Sequence, residues 1–204
     1  MTKPLAVFDC DDVLCNMRAA LYFAMRNRGI DIPVHTWRHY DLQQTFGLSI
    51  ENCLEIMAAD HVLENATAED GAAEAINALR ATGHRVEIWT ARSWHPNGQS
   101  LTEAWAEREG LFVDQVRVFD FLQSKSAAMN EHTPVRAFID DSIRHISDAH
   151  SNPYVGQAVL MTRPWNESAK NLNRAHTLRG FADMVIAQHS LPISSLRTPS
   201  PGAP

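Results

Sequence analysis

The sequence predicts an α/β domain, a doubly wound parallel sheet with a small helical cap inserted after the first strand. Three observations lead there. Short apolar runs alternate with segments of helical period. Two of those runs stop at packed acid, Asp9-Cys10-Asp11-Asp12 after Leu5 to Phe8 and Asp140-Asp141 after Ala137-Phe138-Ile139. Between the first and second runs, roughly fifty residues carry no strand pattern, which is too long for a loop and therefore makes a helical subdomain.

Taken in order, Leu5 to Phe8 reads as a short buried strand. Leu14 to Arg28 follows as a helix with Leu14, Met17, Leu21 and Met25 on its apolar stripe, and Gly29 closes it. Pro33 breaks the next stretch, where Trp37, Tyr40 and Phe46 bring aromatic rings close together, and a further helix covers Ser49 to Asp60. Thr67, with Asp70 three residues on, opens another helix as a capping box. Arg85 to Thr90 is the second strand, and a helix capped by Ser100 and Glu103 runs to Gly110. Val116 to Phe119 is a third strand, Ser124 to Asn130 a short helix, and Val135 to Ile139 a fourth strand. A helix over Ile143 to Ala149, a fifth strand over Gln157 to Met161 and a last helix over Leu178 to His189 complete the pattern. Residues 1–15 and 67–190 thus form the core domain and 16–66 the cap. The Pro- and Ser-rich tail at 191–204 has little to bury and is expected to be disordered.

Composition narrows the function. A formal charge of -6 argues against a basic face for nucleic acid. The three cysteines, Cys10, Cys15 and Cys53, have no zinc-like spacing, which fits a reducing compartment. The first apolar run is too short for a signal peptide, and no run reaches membrane-spanning length. The expectation is a soluble cytoplasmic protein with no membrane partner; a homodimer is compatible with the sequence.

The chemistry is carried by convergence. Asp9 and Asp11 follow the first strand, Thr90 ends the second, Lys125 opens the helix after the third, and Asp140 and Asp141 follow the fourth. In a doubly wound sheet all of these meet at the carboxyl edge, where ligands bind. Packed carboxylates resist joint ionisation, and a divalent cation such as Mg²⁺ is the simplest offset. Each residue alone has a plainer reading: a turn, a helix cap or a solvated lysine.

Jointly, Asp9-x-Asp11-x-Val13-Leu14, Thr90, Lys125 and Asp140-Asp141 resemble the motifs of the haloacid dehalogenase superfamily of phosphotransferases. Within it, the chain looks most like the 5'(3')-deoxyribonucleotidases, through the cap, Val13 and Thr162 to Asn166. It departs from that group at Asp12, where glycine is usual. The resemblance implies a Rossmann-like core and a Mg²⁺-dependent phosphomonoesterase acting on a small phosphorylated substrate, foremost a nucleoside or deoxynucleoside monophosphate. It further implies Asp9 as nucleophile, forming an aspartyl-phosphate, and Asp11 as general acid and base. Asp9, the Asp11 carbonyl and Asp140 would hold Mg²⁺; Thr90, the backbone N–H at Ala91 and Lys125 would hold phosphate; Asp141 would support metal waters or Lys125. Trp37, Tyr40, Phe46, Arg92 and Arg163 are candidate substrate contacts, against plainer readings as cap core or surface ion pairs. A polynucleotide 3'-phosphatase, another small-molecule phosphatase, a dehalogenase and a non-catalytic nucleotide or metal binder are the competing readings.

Overall fold

The computed structural model describes residues 3–189, together with 191 and 193. A six-stranded, all-parallel sheet forms the core. Its strands are β1 (Leu5–Phe8), β2 (Arg85–Thr90), β3 (Gln115–Val118), β4 (Val135–Asp140), β5 (Val155–Met161) and β6 (Arg174–Ala175), in the spatial order β3-β2-β1-β4-β5-β6. The order reverses between β1 and β4, so the two acid-tipped strands are neighbours at the topological switch point.

Burial on both faces explains the sequence pattern. Along β1, Ala6 and Phe8 join one apolar cluster while Leu5 and Val7 join another. The first face is covered by α5 (Ala72–Ala81), α6 (Gly98–Arg108) and α8 (Leu178–Ala187), with Phe181 edge-on to Phe8 at 5.1 Å. The second is covered by α7 (Ile143–Ser151) and by Met129, just after the 3₁₀ turn Lys125–Ala128.

The segment between β1 and β2 holds α1 (Met17–Arg26), α2 (Leu42–Phe46), α3 (Ile50–Ala59) and α4 (Val62–Asn65). Its buried side chains, among them Leu21, Trp37, Cys53, Met57 and Leu63, are continuous with the first apolar cluster. The two chain connections to this segment run side by side. The Asn16 N–H donates to the Thr67 carbonyl at 2.9 Å, and Cys15 bridges Ala68.

That pairing corrects one expectation. Thr67 does not cap a helix, because its carbonyl pairs with Asn16; α5 starts at Ala72 behind Gly71 at φ +80°. Ser100 likewise lies inside α6, which begins at Gly98. The helix read from Leu14 begins at Met17, because residues 9–15 fold into a tight loop. In that loop the Cys10 carbonyl accepts from the N–H groups of Leu14 and Cys15, each at 2.9 Å. The sixth strand, two residues long, has no apolar run to announce it. The tail expected to be disordered lies outside the described residues apart from Leu191 and Ile193. Among the described residues, no helix is long and apolar enough to cross a membrane.

Candidate active site at the carboxyl edge of the sheet

The site forms where β1 and β4 end. The Asp9 N–H donates to the Ile139 carbonyl at 2.9 Å, extending the β1–β4 pairing by one residue and fixing the Asp9 backbone. Asp140 ends β4, and its Oδ1 accepts from the Ser142 N–H at 2.8 Å. Asp141 follows, with Oδ2 accepting from Trp165 Nε1 at 2.8 Å and its carbonyl from Asn166 Nδ2 at 2.9 Å. Carboxylate oxygens of Asp9, Asp140 and Asp141 lie within 4.8 Å of one another, and all three residues are buried.

Lys125 is the counter-charge. Its ammonium donates to Asp9 Oδ1 and, at 2.8 Å, to Asp140 Oδ2, with only 2% of the residue exposed. The plain reading of a solvated lysine is therefore excluded. The 3₁₀ turn that carries it is capped by Ser124, whose hydroxyl accepts from the Ser126 N–H at 3.3 Å. Burial opposes the ammonium, yet Asp140 and Asp9 outweigh it, and the Lys125 pKa stands raised.

One ammonium does not neutralise three acids. Burial pushes the Asp9 carboxyl well above its usual range; Lys125 pulls it down, and Asp140, Asp141 and Asp11 push it up again. Asp141 is pushed up to about 8, by burial first and then by Asp140 and Asp12. A donor set made only of hard carboxylate oxygens, with acid in excess of its counter-charge, fits a divalent cation such as Mg²⁺. Two further polar atoms here have no hydrogen-bond partner among the described residues. Thr90 Oγ1 at the end of β2 is fully buried and unpaired, and His145 Nδ1 on α7 stands 3.9 Å from Asp140 Oδ2. A buried hydroxyl with no protein partner is available to a bound ligand.

Asp11 stands apart from this trio. Both of its carboxylate oxygens accept from Arg92, Oδ1 from Nη2 at 2.6 Å and Oδ2 from Nε at 2.9 Å. Arg92 is fully buried just after Ala91, and its Nη1 donates to Thr102 Oγ1 on α6 at 3.0 Å. Arg92, expected as a substrate contact or surface ion pair, is thus the partner of Asp11.

The other candidate contacts divide. Trp37 is 1% exposed, packs edge-on against Phe46 at 4.9 Å and donates to the Ile32 carbonyl, so both rings belong to the apolar packing of the segment between β1 and β2. The Arg163 guanidinium donates to the Asp12 carbonyl at 2.7 Å and to Glu69, and so ties the acid loop to the chain leaving the cap. Tyr40 is half exposed as a residue, and its carbonyl accepts from Arg18 Nη2 at 2.7 Å. Burial, then Asp141, Asp140 and Asp9, hold its phenol well above its usual pKa.

Sequence reasoning missed the roles of Asp12, Arg18 and Trp165. Asp12 lies 6% exposed at φ +60°, and Arg18 grips its carboxylate through Nε at 2.9 Å. The third acid in the Asp9–Asp12 run was the available signal for this pair; Arg18, on a helix, gives none.

Comparison with solved structures yields the same fold at low sequence identity. A haloacid dehalogenase-like family hydrolase from Streptococcus pneumoniae aligns with a TM-score of 0.65 at 15% identity, over 92% of this chain and 99% of that one. A putative HAD-hydrolase from Bacillus subtilis, described as bound to magnesium, gives 0.59 at 16% identity, over 91% and 99%. A putative phosphoglycolate phosphatase from Lactobacillus delbrueckii gives 0.60 at 11%, again over 91% and 99%. No protein-family model matches the sequence, and no curated protein matches it.

Proposed function

We propose, from the fold this chain shares with haloacid dehalogenase-like hydrolases, that it is a Mg²⁺-dependent phosphomonoesterase working through an aspartyl-phosphate. The observation that carries the reading is the buried Lys125 ammonium between Asp9 and Asp140, at the sheet edge where β2 also ends in Thr90. A phosphate ester needs a nucleophile, positive charge against its oxygens and a proton for its leaving group. Each has a residue here.

Asp9 is the nucleophile. Lys125 engages Oδ1 and leaves Oδ2 outside that ion pair. Attack by Oδ2 forms the bond to phosphorus as the bond to the leaving oxygen breaks. Asp11 donates its proton to that oxygen, then takes one from the water that attacks the aspartyl-phosphate and releases inorganic phosphate. Because both Asp11 oxygens accept from Arg92 in the structure, this work needs a side-chain rotation that turns one oxygen toward the leaving group. Thr90 and Lys125 hold phosphate oxygens, and the Ala91 N–H assists. Asp9 and Asp140, with the Asp11 carbonyl and with Asp141 alongside, would hold Mg²⁺, which supplies charge neutralisation for the phosphoryl group.

The substrate is a small phosphomonoester, with nucleoside and deoxynucleoside monophosphates first among them. That choice rests on the motif resemblance at Val13 and Thr162 to Asn166 and on the cap between β1 and β2. The net charge of -6 disfavours a polynucleotide. The test is phosphate release from 4-nitrophenyl phosphate, then from a panel of nucleoside monophosphates and phosphoglycolate, with Mg²⁺ or with EDTA. Release that requires the metal and disappears in Asp9→Asn supports the reading. Release indifferent to either rejects it.

A further inference from the structure

The turn that carries Lys125 is not held in place by its own backbone. Among the described residues, the backbone–backbone hydrogen bonds of residues 124–129 stay inside the turn. The Ala127 N–H donates to the Ser124 carbonyl at 3.2 Å and the Met129 N–H to the Ser126 carbonyl at 3.0 Å. Met129, 2% exposed, packs the end of the turn into the second apolar cluster. Apolar burial has no direction, so it does not fix where an ammonium on a long flexible stem comes to lie.

The directional hold comes from α7. Asn152 stands directly after that helix, and its side-chain amide faces the turn. Nδ2 donates to the Ser126 carbonyl at 3.0 Å, to Ser126 Oγ at 3.1 Å and to the Met129 carbonyl at 2.9 Å. Both N–H donors of the amide are thus spent on the turn. Oδ1 accepts from the Tyr154 N–H at 2.9 Å, which fixes the way the amide points. From the first turn of α7, Arg144 donates to the Leu122 carbonyl at 3.2 Å and the Phe121 carbonyl at 3.3 Å, on the stretch that leads to Lys125. Ser142 caps the same helix, and its N–H donates to Asp140 Oδ1 at 2.8 Å. One helix therefore holds Asp140 at its start and the lysine turn at its end. The Lys125–Asp140 ion pair, at 2.8 Å, closes the ring.

We propose that Asn152 is a positioning residue for Lys125: its amide pins the Ser126 and Met129 carbonyls to the end of α7 and so keeps the ammonium between Asp9 and Asp140. This deepens the phosphomonoesterase reading and rests on it only for the kinetic consequence, an ammonium aligned with the phosphate oxygens in the transition state. The placement of the ammonium does not depend on that reading.

The ammonium can be observed directly by NMR. The chain has three lysines, Lys3, Lys125 and Lys170, and the first and last are exposed. In protein carrying isotopically labelled lysine and kept in EDTA, one ammonium resonance with slow proton exchange into water is expected. Lys125→Met identifies it by its loss. Asn152→Asp keeps the size and the acceptor for Tyr154 but sets an oxygen against two carbonyls, and the ammonium protons should exchange at least about tenfold faster. Asn152→Ala removes the donor without adding charge, and shows the same rise if Asn152→Asp fails to fold. Ile146→Val trims a buried side chain of the same helix; it lowers the melting temperature and leaves ammonium exchange within about twofold.

With 4-nitrophenyl phosphate and Mg²⁺, Asn152→Asp should lower kcat about 10- to 100-fold with KM within about threefold, because a displaced ammonium still attracts the substrate but loses its alignment. Unchanged ammonium exchange in the Asn152 variants, or an equal acceleration in Ile146→Val, overturns the positioning. A loss carried by KM alone overturns the alignment with the transition state. If the wild-type protein hydrolyses no phosphomonoester, the functional reading and the kinetic consequence fall together, and ammonium exchange alone decides the role of Asn152.

Discussion

Arg92 encloses Asp11: a fully buried guanidinium donates to both oxygens of a carboxylate that is itself a quarter exposed. The two residues lie 81 positions apart in the chain, one after β1 and one after β2. Their pairing sets the position from which the side chain proposed for acid–base work turns toward the leaving group.

The first prediction follows from that pair. A lysine at position 92 cannot reproduce the fork, so Arg92→Lys should lower kcat/KM by about 10- to 100-fold through misplacement of Asp11. Gly98→Ala tests the same geometry without touching a charge. A Cβ there would stand 2.3 Å from the Arg92 carbonyl oxygen, and the backbone at 92 must shift. Its kcat/KM should fall in the same direction. Activity at the wild-type level in both variants would mean that the pair does not set the Asp11 position.

Lys125 supplies a prediction about stability. Lys125→Met leaves Asp9 and Asp140 buried and without their counter-charge. In EDTA the variant should unfold about 3–5 kcal/mol more easily than the wild type. Added Mg²⁺ should recover part of that loss. Urea unfolding curves with and without the metal measure both quantities, and an unchanged midpoint in EDTA would contradict the proposed charge balance.

Metal linkage is read at Asp141. Any ligand that binds only the folded state stabilises it, by about 2.7 kcal/mol at a hundredfold excess over Kd. Mg²⁺ should therefore raise the wild-type melting temperature by several degrees for a chain of this size. Asp141→Asn removes one of the three clustered carboxylates and should reduce that rise by half or more. Differential scanning calorimetry in EDTA and in Mg²⁺ makes the comparison. An equal rise in both proteins would remove Asp141 from the metal site.

A pH dependence arises far from this site, at His84. Burial lowers the His84 pKa below 6.5, the Leu79 carbonyl raises it in part, and His189 and Arg136 lower it further. The unfolded chain thus takes up a proton near 6.5 that the folded chain refuses, and stability falls as pH drops below that value. His84→Gln should flatten the fall between about pH 7 and about pH 5. Urea midpoints across that range measure it, and parallel profiles for the two proteins would refute the assignment.

Much of this was legible in the sequence, for local reasons. β1, β4 and β5 are buried on both faces and so appear as largely apolar runs, and β2 appears as a run that alternates at first, through Val86 and Ile88. Asp9, Thr90 and Asp140 could be placed together because each stands at the end of such a run, and strand ends share one edge in a parallel sheet. β6 escaped because two residues at a sheet edge carry no periodicity. Thr67 misled because a capping pattern describes four residues and is blind to Asn16, the long-range partner that takes its carbonyl.

The sequence alone determined the alternation of strands and helices, the helical stretch between β1 and β2 and the acids at two strand tips, because burial and period act over a few neighbours. Only the tertiary structure decided which charges pair. It gave Lys125 to Asp9 and Asp140, Arg92 to Asp11 and Arg18 to Asp12. A guanidinium or ammonium meets its carboxylate where side chains converge in space, and no spacing along the chain encodes that meeting.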